Sequence, residues 1–205
     1  MPSIYDLKPK FQALLRPITN GLASAGVSAN MVTVAALVLS VVTGAGILYF
    51  RDVRILWLLP LVLFVRMALN AIDGMLAREH NQKTSLGAIL NELGDVFSDP
   101  ALYLPLAMIP PFDPELIVLI VICAILTEMT GVVGVQIGAS RRYDGPMGKS
   151  DRALIFGALG LLLALGAPIL PIVRPVLWVI LILLLLTILN RSRAALRELR
   201  SRATP

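Results

Sequence analysis

Two rows of polar residues interrupt an otherwise oily stretch of the chain. Asn70, Asp73, Gly74, Ala77 and Arg78 are spaced three, one, three and one apart, so they share one face of a helix. Gly87, Asn91, Asp95 and Asp99 follow at intervals of four and drift slowly around a second helix. A short polar link, HNQKTS at 80–85, makes the two helices antiparallel neighbours. Their oxygens can then meet near a membrane surface, with small residues (Gly74, Ala77, Gly87) leaving room for a ligand and Arg78 at the rim. Convergent oxygens, a gap and an arginine suit a divalent cation that holds a diphosphate. Magnesium takes a few carboxylates and completes its shell with phosphate oxygens.

A second set of charges lies deeper. Arg66, Asp99 and Glu128 each fall about 17 Å from the cytoplasmic end of their own apolar segment, at 1.5 Å per residue. Ionisable groups at such depth are costly and are paired or functional. Equal depth on three helices predicts one buried ionic cluster, in which Arg66 pairs with Asp99 or Glu128 and fixes helix register.

The elements that must carry these residues are membrane helices. The 205 residues are 57% hydrophobic and 15% charged, with mean hydropathy +0.83, well outside the range of soluble domains. Six spans are predicted at about 30–50, 54–78, 86–109, 114–139, 152–169 and 173–190, each near the length that crosses a bilayer. Residues 4–22 space Ile4, Leu7, Phe11, Leu14, Leu15, Ile18 and Leu22 at helical intervals among basic residues, which predicts an amphipathic juxtamembrane helix within 1–25. The single domain of 1–205 then comprises that helix, a six-helix bundle at 30–190 and a basic tail at 191–205. Fourteen Lys and Arg fall on the side of the N-terminus and three on the other, which predicts both termini in the cytoplasm. No cleavable signal peptide is visible at the N-terminus. The net charge of +5 reports loop orientation and anionic lipid headgroups, since no nucleic-acid motif accompanies it. Cys123 is the one cysteine and reads as membrane packing; His80 reads as a loop residue.

The polar rows resemble the signature of the CDP-alcohol phosphotransferase (CDP-alcohol phosphatidyltransferase) family, D-x2-D-G-x2-A-R followed at seven or eight residues by G-x3-D-x3-D. This chain reads N-AI-DG-ML-AR, eight residues, then G-AIL-N-ELG-D. Asp73, Gly74, Ala77, Arg78, Gly87 and Asp95 match. SANMVT at 28–33 and the basic loop RRYDGPMGKSDRA fit as well, so the likeness covers nearly the whole chain. It implies an all-α integral membrane fold of six helices with both termini inside. It also implies a homodimer, a polar cavity open to the cytoplasm of a bacterial inner membrane, and membrane lipids as partners. The reaction implied is phospholipid biosynthesis: an alcohol hydroxyl attacks CDP-diacylglycerol and CMP leaves. The same resemblance implies Mg²⁺ or Mn²⁺, one or two ions, held by Asp73, Asp95, Asn70 and Asn91, with Asp95 as catalytic base. Gly74, Ala77, Arg78 and Gly87, with Asn30 and Thr33, would bind the cytidine diphosphate. Arg141, Arg142 and Lys149 would bind the acceptor, tilting the choice towards a phosphorylated one.

The departures are Asn70 and Asn91, where the pattern has aspartates. An amide oxygen still ligates a cation, but each exchange removes one negative charge, which predicts a weak second ion. Two other readings are open. A protein with altered ligands could bind a nucleotide or lipid without catalysis. NELGDVFSD also matches N-x3-D-x3-D, the motif of UbiA-like membrane prenyltransferases, yet no second aspartate motif follows and the D-G-x2-A-R block is unexplained by that family.

Overall fold

A computed structural model describes residues 8–203. Among the described residues the architecture is all helical. α1 (Lys8–Ser24), α2 (Ala29–Phe50), α3 (Leu59–Glu79), α4 (Ser85–Tyr103), α5 (Pro114–Gln136), α6 (Lys149–Ala164) and α7 (Leu170–Ala203) follow one another, with 3₁₀ turns at Val53–Leu58 and Leu104–Met108. The helix starts carry side-chain caps. Ser28 accepts from the Met31 amide at 3.2 Å, Thr84 from Gly87 at 2.9 Å, and Asp113 from Glu115 and Leu116.

The predicted juxtamembrane helix is α1, although Ile4 and Leu7 lie outside the described residues. Leu15 and Thr19 are buried, and Leu15 packs with Ile72, Met75 and Leu76 of α3. Leu14 and Ile18 remain exposed, which suits a helix with one face on the protein and one towards lipid.

Four segments are long and apolar enough to cross a membrane: Ala29–Phe50, Val53–Glu79, Pro114–Gln136 and Leu170–Arg202. α4 and α6 fall short of that standard for physical reasons. α4 carries Glu92, Asp95 and Asp99, and α6 has 16 residues. The expected tail at 191–205 is helical as far as Ala203. Ala, Leu, Glu and Arg favour helix, and Glu198 pairs with Arg202 one turn on. At 34 residues α7 is about 50 Å long, well beyond the hydrocarbon thickness.

α2 packs on both α3 and α4, α4 also on α5, α3 on α6, and α5 on α7. α3 and α4 make almost no close backbone contact, although a short loop joins them. Each packs on α2 instead, and side chains such as Asn70 and Arg66 reach directly from α3 to α4. Gly44 of α2 lies so close to the Ala101 carbonyl of α4 that a Cβ would stand 1.8 Å from that oxygen. The apolar core fills the other end of the bundle, where Leu102, Tyr103, Ile117, Ile120, Phe156 and Leu177 are buried and Tyr103 stacks on Phe156 at 4.5 Å. Long polar side chains cross the space between α3 and α4.

Candidate active site

Asp73 is buried to 4% exposure on α3, and its Oδ2 accepts a hydrogen bond from Thr33 of α2 at 2.9 Å. The Thr33 hydroxyl sits one turn into α2, so the Ser28 cap that starts that helix also sets this contact. Across the gap, Asn70 Nδ2 donates to Asp95 Oδ1 at 3.2 Å. Lys149, the first residue of α6, reaches Asp95 Oδ2 at 2.5 Å. The N-terminus of α6 is fixed by Asp151, whose carboxylate accepts from the Gly148 amide at 2.9 Å. Asp95 and Lys149 both act electrostatically on Asp73 from a distance. Among the described residues, Asp73 has no guanidinium or ammonium within salt-bridge distance.

The glycines of the motif do specific work. A Cβ on Gly87 would stand 2.7 Å from Asn30 Oδ1, so glycine lets the first turn of α4 close on the start of α2. A Cβ on Gly74 would stand 3.1 Å from Arg78 Nη1, so the exposed Arg78 folds back over its own helix. Ala77 packs with the apolar cluster beneath α1. Asn91 is exposed on α4, one turn outward of Asp95.

The deeper charges form one network with Asp95. Arg66 Nη1 lies 2.8 Å from Asp99 Oδ1 and its Nη2 lies 3.6 Å from Asp95 Oδ1. The predicted pairing of Arg66 is therefore with Asp99, and Glu128 is held by other residues. Arg152 of α6 binds Asp99 Oδ2 at 2.6 Å and reaches Glu128 at 3.6 Å. Arg191 of α7 reaches Glu128 at 3.4 Å, and Arg141 of the loop does so at 3.1 Å. Arg141 also forms a two-pronged pair with Glu92 at 2.8 Å. Burial works against the Arg141 charge, but Glu92 outweighs it and holds the guanidinium above its ordinary value.

Arg142 is not brought to this network. It binds Asp144 and Glu198, each at 2.8 Å, and ties the loop to α7. Arg152 and Arg191, by contrast, were counted only as cytoplasmic charges in the sequence. The signal for Arg191 was present: Val173, Leu177, Ile180, Leu184 and Thr187 line the buried face of α7, and the same helical spacing continues to Arg191. His80 bonds Asn20 at 3.1 Å, as suits a loop residue.

Among the described residues, no three His, Cys, Asp or Glu side chains converge to hold a metal by themselves. What the site offers is the Asp73 carboxylate, part of Asp95, and the Asn70 amide oxygen. Asp73 is buried, and its hydrogen-bond partner is a hydroxyl. Such a donor set fits a divalent cation that draws further ligands from phosphate or water. Beside Asn30 a groove of about 480 Å³ runs along α2, lined by Asn30, Met31, Val34, Ala35 and Val38; it is apolar beyond Asn30.

Comparison with known proteins converges on one family. The CDP-alcohol phosphatidyltransferase profile matches residues 26–190. The inner membrane protein YnbA of Escherichia coli is 51% identical over 95% of this chain and 96% of its own length. The phosphatidylinositol phosphate synthase of Mycolicibacterium smegmatis is 25% identical over 95% of this chain and 89% of its own. The Mycobacterium tuberculosis phosphatidylinositol phosphate synthase shares the fold. Its crystal structure with CDP-DAG bound superposes with a TM-score of 0.71 at 21% identity, covering 87% of this chain and 92% of that one. Its complex with manganese and citrate gives 0.73 at 19% identity, covering 87% of each.

Proposed function

The chain belongs to the CDP-alcohol phosphatidyltransferase family, and from that premise we propose that it transfers a phosphatidyl group from CDP-diacylglycerol to an alcohol, with release of CMP. It is a membrane transferase of substituted phosphate groups, and its work is phospholipid biosynthesis.

One observation carries that reading: Asp73, buried and without a cation of its own, faces Asp95 across the gap between α3 and α4. Asp73 and Asn70, with Asp95 and Asn91, are the residues that would hold a divalent cation. When bound, Mg²⁺ or Mn²⁺ neutralises the donor diphosphate and polarises the reacting phosphorus. Gly74, Ala77, Arg78 and Gly87, with Asn30 and Thr33, cradle the cytidine diphosphate. The groove that starts at Asn30 takes an acyl chain.

Asp95 is the base. It accepts the proton of the acceptor hydroxyl as that oxygen bonds to the phosphorus bearing the diacylglycerol. The bond from that phosphorus to the bridging oxygen breaks, and CMP departs with the electron pair. Lys149 holds Asp95 Oδ2, so it must yield that oxygen before the proton can move. Lys149 and Arg141 line the acceptor side, while Arg142 secures the loop. Six spans with both termini inside, a cytoplasmic opening in a bacterial inner membrane, a single domain over 1–205 and a homodimer belong to the same proposal. The Lys and Arg asymmetry and the lodging of α4 and α6 among the longer helices support the topology.

The test is direct. Purified protein with CDP-diacylglycerol, Mn²⁺ and a panel of alcohols should release CMP and form a new lipid. Release only from a CDP-linked headgroup, with none from CDP-diacylglycerol, would overturn the donor assignment.

A further inference from the structure

Three arginines from three separate segments close on one carboxylate. Arg141 of the loop, Arg152 of α6 and Arg191 of α7 lie 3.1, 3.6 and 3.4 Å from Glu128 of α5. The Arg152 and Arg191 side chains are 1% and 2% exposed. Backbone carbonyls hold the forks in place. Met147 accepts from Arg152, and Thr127 and Asp144 accept from Arg191. Gly131 makes room for the third fork, since a Cβ there would stand 1.5 Å from Arg141 Nη1. Converging guanidinium forks are a characteristic way to hold phosphate. Here a carboxylate of the same chain takes that position.

The location matters as much as the chemistry. Lys149 meets Asp95 and Arg152 meets Glu128, and these two cations are three residues apart on α6. Successive turns of one helix therefore hold the catalytic carboxylate and reach the arginine cluster. An alcohol that also carried a phosphate would set its hydroxyl at the first and its phosphate at the second. The local cations are also already engaged. Arg66, Arg141, Lys149, Arg152 and Arg191 each contact at least one of Glu92, Asp95, Asp99 and Glu128. None of these five stands open to an acceptor phosphate. Displacing Glu128 from its arginines would strand a buried carboxylate.

We propose that Glu128 is a built-in occupant of the acceptor-phosphate position, and that it restricts this enzyme to an alcohol bearing no phosphate group. This overturns the tilt towards a phosphorylated acceptor that the basic loop suggests in the sequence. The acceptor preference rests on the transferase reading above; the anion-binding property does not.

Two measurements on the purified full-length protein decide it. The first is the shift in melting temperature with added inorganic phosphate, for wild type and Glu128→Gln. Wild type should not shift, and Glu128→Gln should gain phosphate affinity by roughly tenfold or more. A purely structural Glu128 would leave phosphate affinity unmoved in both. The second is CMP release from CDP-diacylglycerol and Mn²⁺ with glycerol or inositol against glycerol phosphate or inositol phosphate. Wild type should use an uncharged alcohol and ignore both phosphorylated ones. Phosphate stabilising the wild type, or a phosphorylated alcohol serving it as well as an uncharged one, overturns the proposal. If Glu128→Gln does not fold, the wild-type results still decide. If no alcohol yields CMP, the transferase reading falls and the phosphate measurement alone judges Glu128.

Discussion

Asp73 and Glu128 are both buried carboxylates on membrane helices, yet their surroundings are opposite. Asp73 has a hydroxyl for a partner, from Thr33. Glu128 has three guanidinium groups within 3.6 Å. An ionised carboxylate in a low-dielectric setting must be neutralised by something. At Glu128 the chain supplies that charge itself. At Asp73 the chain does not, so the charge is left for a cation and a diphosphate to complete. One bundle thus contains a finished ionic cluster and an unfinished one. Asp95 stands between them, bonded to Asn70 on one side and within 3.6 Å of Arg66 on the other.

The sharpest way to break this contrast is to remove each charge without changing shape. Asp73→Asn keeps a partner for Thr33 and should leave the melting temperature nearly unchanged, while CMP release falls by about 10³-fold or more. Asp95→Asn should lose about 10²–10⁴-fold, the usual contribution of a general base; full activity in that variant would end the base assignment. The finished cluster should respond in stability instead. Arg152→Met takes one cation from both Asp99 and Glu128, which keep Arg66, Arg141 and Arg191, and should cost about 1–3 kcal/mol, read as a fall in melting temperature in detergent. If Asp73→Asn unfolded the protein and Arg152→Met did not, the two regions would have been assigned the wrong way round. Asn70→Asp sharpens the comparison by adding charge to the unfinished side. Mn²⁺ affinity, followed by electron paramagnetic resonance, should rise by about tenfold. The smallest effect belongs to a pair outside both regions. Arg16 and Glu79 meet at 3.0 Å on the exposed surface, and Arg16→Ala should leave melting and activity unchanged.

How far the sequence foretold this differs by residue. Helical spacing places Asn70 and Asp73 on one helix, and counting depth along separate helices gives Arg66 either Asp99 or Glu128 as partner, of which Asp99 is the one it meets. Those inferences worked because a helix has a fixed rise and period. Arg191 was lost because an arginine near a basic tail looks like a solvated one. Its burial depends on α7 continuing past the apolar stretch, which the hydropathy does not report. The small residues Gly74, Ala77 and Gly87 signalled room between α3 and α4, but not that each helix packs on α2, with Gly44 bringing α2 against α4. Arg142 and Arg141 are adjacent in sequence, yet they serve opposite sides of the loop, because Glu92 and Glu198 arrive from different helices. Pairings of this kind are set by tertiary packing, and no local pattern encodes them.

The order of the chain adds one consequence to the Glu128 cluster. All three of its arginines come later in the sequence: Arg141, Arg152 and Arg191 are each made after Glu128. During synthesis α5 therefore enters the membrane carrying an acid whose counter-charges do not yet exist. The acid must travel protonated or be sheltered until α6 and α7 arrive. Only the last helix brings Arg191. A chain cut short before it would keep the acid with only two of its three guanidinium partners, a mark by which quality control could recognise it as incomplete.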